Sequence, residues 1–178
     1  MMSKCKEGNY EAMIGPCNKD TKTPSAGVGC ISREDKAKII ITEHNIEAFK
    51  NAYEMGRAEK YLVDLGWERM VQVFNRYGQS GGGKEDIATT EAILEAVREE
   101  RDQEPHLPTL IVGDANADPS RIRNLKELVA EGWVDIDLHG DWWGGTPAEN
   151  TCASRAGANE SRIDVVFASP EAVFTKYV

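Results

Sequence analysis

The sequence predicts a layered α/β fold with a mixed sheet. Three features carry that reading: several short β-prone runs, amphipathic helical stretches set between them at irregular intervals, and one pair of alternating runs meeting at a tight turn. Regular strand–helix units would predict a parallel sheet. A hairpin among helices predicts antiparallel and parallel neighbours together.

In chain order, the run AGVGCIS from Ala26 reads as a strand, with Gly27 and Gly29 where neighbouring backbone comes close. KAKIIIT at 36–42 is a second β-prone run. Residues 44–56 predict a helix, with Ile46, Phe49 and Tyr53 on one face and Gly56 as its stop. AEKYLVDLGWERMVQVFNRYG predicts a hairpin that turns at Gly66-Trp67. QSGGGKED is a loop by composition. Residues 86–101 predict a helix with Ile87, Leu94 and Val97 on its apolar side, ended by Pro105 and Pro108. TLIVG at 109–113 is a buried strand. Asp118 and Pro119 suit the N-cap and first turn of a further helix. Its buried face is Ile122, Leu125, Leu128 and Val129, and Gly132 ends it. VDIDL is a strand candidate, residues 141–160 form a long polar loop, and SRIDVVFASP is a strand closed by Pro170. Trp67 and Trp133 lie beside glycines at element boundaries and are expected in the core or as staples. The Trp142-Trp143 pair either anchors the long loop or stacks on a substrate.

At 178 residues the chain has the length of one domain and can bury a core. Apolar content of 40% with 29% charged residues excludes disorder. Lys and Arg number 21 against 30 Asp and Glu, a net charge of -9. That balance opposes a nucleic-acid grip and suits a metal site made of carboxylates. No stretch approaches a membrane span, and MMSKCKEGNY lacks the apolar core of a secretion signal. Cys5, Cys17, Cys30 and Cys152 form no Cys-x-x-Cys pair, so reduced thiols and an intracellular location are expected.

Three constellations carry chemistry. In Gly113-Asp114-Ala115-Asn116 a carboxylate and a carboxamide leave the end of a strand two residues apart. They point the same way, and they suit a hard cation, a water or a phosphate oxygen. The plainer reading is a turn between strand and helix. Ser161-Arg162-Ile163-Asp164 opens a strand with a charged pair facing away from Ile163, either a solvated edge or an oriented catalytic Asp. Asn75 and Tyr77 share a side of their strand and run into a Gly-rich loop, which suits a phosphate, or simply a core tyrosine with a wet hydroxyl.

Taken in order, Asn75-x-Tyr77-Gly78, Gly113-Asp114-x-Asn116 and Thr151-Cys152…Ser161-Arg162-Ile163-Asp164-x-x-Phe167-x-Ser169-Pro170 resemble the endonuclease/exonuclease/phosphatase superfamily, to which DNase I and the abasic-site endonucleases belong. SAGVGCISR is similar to that family's Gly-Gly-Val-Ala strand, and the resemblance spans residues 9–173. It implies a partial four-layer α-β-β-α sandwich of two mixed sheets, DNase I-like, and divalent-metal-dependent phosphoester hydrolysis. By resemblance Asp114 activates or aligns the attacking water and holds Mg²⁺ or Mn²⁺. Asn116 contacts the phosphate or the metal-bound water, the Tyr77 hydroxyl touches the phosphate, and Asp164 supports the site. Asn75 and Arg162 are candidate substrate-binding residues, with a structural role as the other reading of Arg162. In-line attack on a phosphoester asks for this set: an oriented water, neutralised phosphoryl charge and a stabilised leaving oxygen.

The family also carries a metal-binding Glu on an early strand and a terminal Ser-Asp-His. The stretch before Gly15-Pro16 shows no such motif and reads as strandless, and no His follows Ser169-Pro170. Residues 1–14 are therefore expected to be an N-terminal remnant. Residues 15–178 are expected to form the domain without its first strands and last catalytic strand, with little activity alone. A longer chain, such as a retroelement endonuclease, would supply the rest. The alternative is a non-catalytic descendant kept as a binding module. His44, His106 and His139 are expected at the solvent-exposed surface, His139 beside Asp141 being the one to test. The loops do not distinguish DNA or RNA from lipid or sugar phosphates.

Overall fold

The computed structural model describes residues 2–5, 9–18, 26–143, 146, 150–152 and 161–174. Its strands form two sheets. The smaller joins β1 (Met2–Cys5), β2 (Tyr10–Ile14) and β3 (Gly29–Arg33), antiparallel throughout. The larger consists of β4 (Lys38–Ile41), β5 (Ala58–Asp64), β6 (Met70–Tyr77), β7 (Thr109–Asp114), β8 (Val134–Asp135) and β9 (Asp164–Ala168), ordered β4-β5-β6-β7-β9-β8. Within it β6 and β7 run parallel and the other neighbours antiparallel. The connections explain the mixture. A tight turn joins β5 to β6, whereas helix α2 (Lys84–Arg101) carries the chain back so that β7 starts in the direction of β6.

Helices α1 (Glu47–Glu54), α2 and α3 (Arg123–Ala130) cover one face of the larger sheet. The apolar stripe of each helix meets inward residues of the strands. Phe49, Leu94, Val97, Ile122, Leu125 and Leu128 pack with Phe74, Ile111 and Phe167 in one cluster. The Phe49 and Phe74 rings meet edge to face with centroids 5.6 Å apart. Inside this layer Lys60 Nζ donates to Glu100 Oε1 at 2.5 Å. The same carboxylate accepts the Asn45 and Ile46 backbone N–H groups at the start of α1, so one buried ion pair fastens α1 and α2 to β5. A short helix, α4 (Pro170–Phe174), follows β9. Among the described residues, no helix is long and apolar enough to cross a membrane.

On the other face lies the smaller sheet. Met13 packs with Ile39 and Tyr61, joined by Cys30 and Val63. The Asn75 amide donates to the Gly29 carbonyl at 2.8 Å and ties the two sheets together. Cys17, Cys30 and Cys152 are free thiols.

Several expectations change at the tertiary level. Residues 2–5 and 10–14 are strands, although the N-terminal stretch reads as strandless. Five residues of mixed polarity carry little periodicity, and pairing with β3 supplies the hydrogen bonds that make them a strand. Trp67 is 90% exposed and is neither core nor staple. It occupies the centre of the β5–β6 turn, where Trp67 and Glu68 have φ of 60° and 59° and Arg69 N–H donates to Gly66. Trp133 is buried as expected. Asp118 caps a 3₁₀ turn, Pro119–Arg121, rather than α3 itself, accepting from Ser120 N at 2.8 Å. Val129 is exposed, so the buried stripe of α3 is narrower than its sequence suggests. Only Val134–Asp135 of VDIDL is strand, and Ile136–Trp143 forms two 3₁₀ turns separated by a kink at His139. His44 is packed against Phe49 and Tyr53 and lies 3.2 Å from Glu59 Oε1, not in solvent. Most of the long loop at 144–160 lies outside the described residues, as do the side chains of Trp142 and Trp143.

Candidate functional site

The register of the larger sheet builds the site. Parallel pairing of β6 with β7 sets Tyr77 opposite Asp114, and antiparallel pairing of β7 with β9 sets Asp114 opposite Asp164. Residues that face each other across strands share a face of the sheet. Tyr77, Asp114 and Asp164 therefore stand in one row across three neighbouring strands, at the carboxyl ends of β6 and β7. Open sheets place their ligands at that edge.

Asn116 joins the row through a local turn. Its backbone N–H donates to Asp114 Oδ1 at 2.6 Å, and its φ of 52° is a left-handed value that Asn tolerates. Its side-chain amide donates to the Gly78 carbonyl at 2.9 Å. The turn is clamped from both sides, because Gly78 N–H donates to Asp114 O and Ala115 N–H to Ile163 O, each at 2.7 Å. Two glycines make this approach feasible. A Cβ on Gly78 would lie 2.4 Å from the Ala115 carbonyl, and one on Gly113, at φ 124°, 2.0 Å from the Arg76 carbonyl.

The sequence reading missed two cations beside this row. Arg76 is 1% exposed and donates through Nη1 to the Asp114 carbonyl at 3.1 Å. Burial pulls its pKa down to about 10, against the pull of Asp114 and Asp164. Arg57, also buried, donates to the Gly78 carbonyl at 3.0 Å and to Gln79 Oε1 at 2.9 Å. Only their positions beside a strand end and beside Tyr77 marked either residue in the sequence. Asp114 is held above the ordinary carboxyl range. Burial raises it and the charge of Asp164 adds to that, while the Asn116 N–H and Arg76 pull the other way.

The remaining candidates have structural partners. Asn75 bridges the sheets through Gly29. Arg162 forms a two-pronged ion pair with the buried Asp135, Nη1 to Oδ1 at 2.8 Å and Nη2 to Oδ2, and reaches Asp137 Oδ2 at 3.2 Å. The Thr151 hydroxyl accepts the Ile163 and Asp164 backbone N–H groups at 3.0 and 3.1 Å, and Cys152 bridges to Ser161. The start of β9, and with it Asp164, is thereby fixed by Thr151-Cys152.

For a metal, the donors at the edge are the Asp114 and Asp164 carboxylates and the Asn116 Oδ1. All are hard oxygens, and two carboxylates face each other across paired strands, an arrangement that a divalent cation relieves. Among the described residues no group of three or more His, Cys, Asp or Glu side chains converges for a metal.

The family model described as Endonuclease/Exonuclease/phosphatase family matches residues 16–178. No curated protein sequence resembles the chain closely enough to count as a relative. Among solved structures, the human Nocturnin catalytic domain with bound sulfate anion matches with a TM-score of 0.57 at 13% identity, over 91% of this chain and 61% of that one. The 3′ phosphatase NExo from Neisseria, bound to product DNA hairpin, matches with a TM-score of 0.57 at 18% identity, over 91% and 67%. An AP endonuclease from Archaeoglobus fulgidus gives 0.57 at 14% identity, over 91% and 67%. The chain thus spans 61% to 67% of the length of these structures.

Proposed function

Since the chain belongs to the endonuclease/exonuclease/phosphatase family, we propose that its strand edge is a divalent-cation-dependent phosphoester-hydrolysing site. The observation that carries this reading is the row itself: Tyr77, Asp114 and Asp164 in register on three strands, with Asn116 folded back onto Asp114.

Each side chain has a task. Asp114 orients the attacking water and accepts its proton. One Asn116 N–H is spent on Gly78, leaving Oδ1 and the second N–H for water and a phosphoryl oxygen. The Tyr77 hydroxyl donates to the phosphate. Asp164 supports the site as a second carboxylate. Asn75 and Arg162 shape the rim of the substrate site from their structural pairings. Asp114 and Asp164 would hold the cation, Mg²⁺ or Mn²⁺, which supplies charge neutralisation at the phosphoryl oxygens.

The substrate is a phosphoester. A sulfate anion in Nocturnin and a product DNA hairpin in the Neisseria 3′ phosphatase support that class. The charge of -9 favours a small or weakly gripped ester over long nucleic acid.

The test has two arms. Mn²⁺ should broaden the NMR signals of Asp114, Asn116 and Asp164 before those of distant residues. Mn²⁺-stimulated hydrolysis of bis(4-nitrophenyl) phosphate should fall by about 10²–10³ in Asp114→Ala, with the circular dichroism spectrum retained. Signals indifferent to Mn²⁺, or unchanged turnover in the variant, would remove Asp114 from the mechanism.

A further inference from the structure

Arg57 is an expensive residue to place where it lies. It is 8% exposed, yet among the described residues its hydrogen bonds go to two neutral oxygens, the Gly78 carbonyl and Gln79 Oε1. A buried guanidinium without a carboxylate partner costs stability. Among the described residues its buried Nε has no hydrogen-bond partner.

What the guanidinium touches explains its position. Arg57 precedes β5, and its carbonyl accepts the Tyr77 N–H at 2.8 Å, so the two residues are direct neighbours across the strands. Its guanidinium carbon lies 5.2 Å from the centroid of the Tyr77 ring. Its Nη1 shares the Gly78 carbonyl with the Asn116 amide. One planar group therefore lies over the tyrosine and holds the carbonyl on which the asparagine is anchored. Tyr77 ends β6, whereas Asn116 lies in the turn after β7, so the two reach the site from separate segments.

We propose that Arg57 is a positioning residue of the strand-edge site, locking the Tyr77 ring and the Asn116 amide into one arrangement through the Gly78 carbonyl. This role rests on reading that edge as a phosphoester site. The fork geometry is essential: a guanidinium bonds Gly78 and Gln79 at once while lying over the Tyr77 ring, and an ammonium does not present that fork. Because both acceptors are neutral, no hydrogen-bonded carboxylate among the described residues offsets the positive charge beside the residues that would meet a phosphate.

The experiment reads positioning without reading turnover, so its failure differs from failure of the hydrolase assignment. In ¹⁵N-labelled protein, hydrogen exchange of the Asn116 side-chain amide and the Tyr77 ring shifts are followed in Arg57→Met and Arg57→Lys, with thermal melts as the check on folding. Exchange at Asn116 should speed up about tenfold in Arg57→Met, with Tyr77 ring shifts displaced. Arg57→Lys should stay within about threefold of Arg57→Met, since charge without the fork does not restore the clamp. Should Arg57→Met fail to fold, Gln79→Ala removes one acceptor only and should raise Asn116 exchange about threefold. Wild-type exchange in a folded Arg57→Met or in Gln79→Ala, or full rescue by lysine, overturns the role.

Discussion

The two faces of the larger sheet meet very different surroundings. On the helix side the fit is close: Phe74 and Ile111 are 0% exposed and Phe167 is 2% exposed. Among the polar groups there, Lys60 pairs with Glu100 and Glu100 with the start of α1. On the opposite side the smaller sheet covers only part of the surface. Val63, Val71, Val73, Leu110, Ile136 and Ala168 line an apolar groove of about 300 Å³ beyond it. The smaller sheet in turn leaves Ile14 and Ile31 59% and 70% exposed. The site row lies at the edge that both faces share. Stability is drawn mainly from the sealed face, and the chemistry-bearing side chains face the looser one.

The sharpest way to break this contrast is a pair of adjacent residues on opposite faces. Phe74→Ala should cost about 3–5 kcal/mol in urea unfolding, whereas Val73→Ala should cost no more than about 1 kcal/mol, because the groove leaves Val73 partly exposed already. Equal losses would mean that both faces are sealed in solution.

Next in size is Glu100→Gln. Burial alone would raise the Glu100 carboxyl. The Lys60 ammonium and the Ile46 and Asn45 N–H groups outweigh it and hold the group below its ordinary 4.5. A depressed carboxyl contributes stability that is full above the ordinary value and lost as pH falls through the folded one. Glu100→Gln should cost about 3 kcal/mol at neutral pH, by leaving Lys60 buried without its counter-charge. The gap to the native protein should narrow as the pH drops below 4.5. A cost independent of pH would assign it to packing and not to charge.

The smallest effect has the opposite sign and belongs to the site. Asp114 is held above its ordinary 3.8. Its protonated form therefore favours the fold at low pH, and that advantage is lost as pH rises through the raised value. Asp114→Asn keeps an oxygen for the Asn116 N–H and removes the charge. Metal-free at neutral pH, it should melt a few degrees higher than the native protein, with no gain below pH 3.8. Lower stability at neutral pH would show that Asp114 is a structural carboxylate.

The parts of the site legible in the sequence are those made by short-range geometry. Asp114 and Asn116 belong to one turn, and the bond from Asn116 N to Asp114 Oδ1 closes within three residues. The helices announce themselves likewise, since Leu94 and Val97 in α2 and Leu125 and Leu128 in α3 recur at helical spacing and all four are buried. Arg57 and Arg76 were not legible. Each looks like an ordinary charged residue at a strand end, and only the fold shows it buried with its guanidinium on a site carbonyl. Trp67 failed in the other direction: a large apolar side chain beside a glycine suggests a core, but the turn leaves it nothing to pack against.

The sequence by itself determined the local vocabulary: which stretches alternate with period two, which with 3.6, and where a carboxylate and a carboxamide leave a strand together. Dihedral preferences and hydrogen bonds between near neighbours act whatever surrounds them. The tertiary structure decided which strand ends lie side by side, and so brought Tyr77 and Asp164 to Asp114. It also decided which charges were withdrawn from water. Strand register is a property of pairs of segments far apart in the chain, fixed only when their buried faces find a common core, and no single segment contains that information.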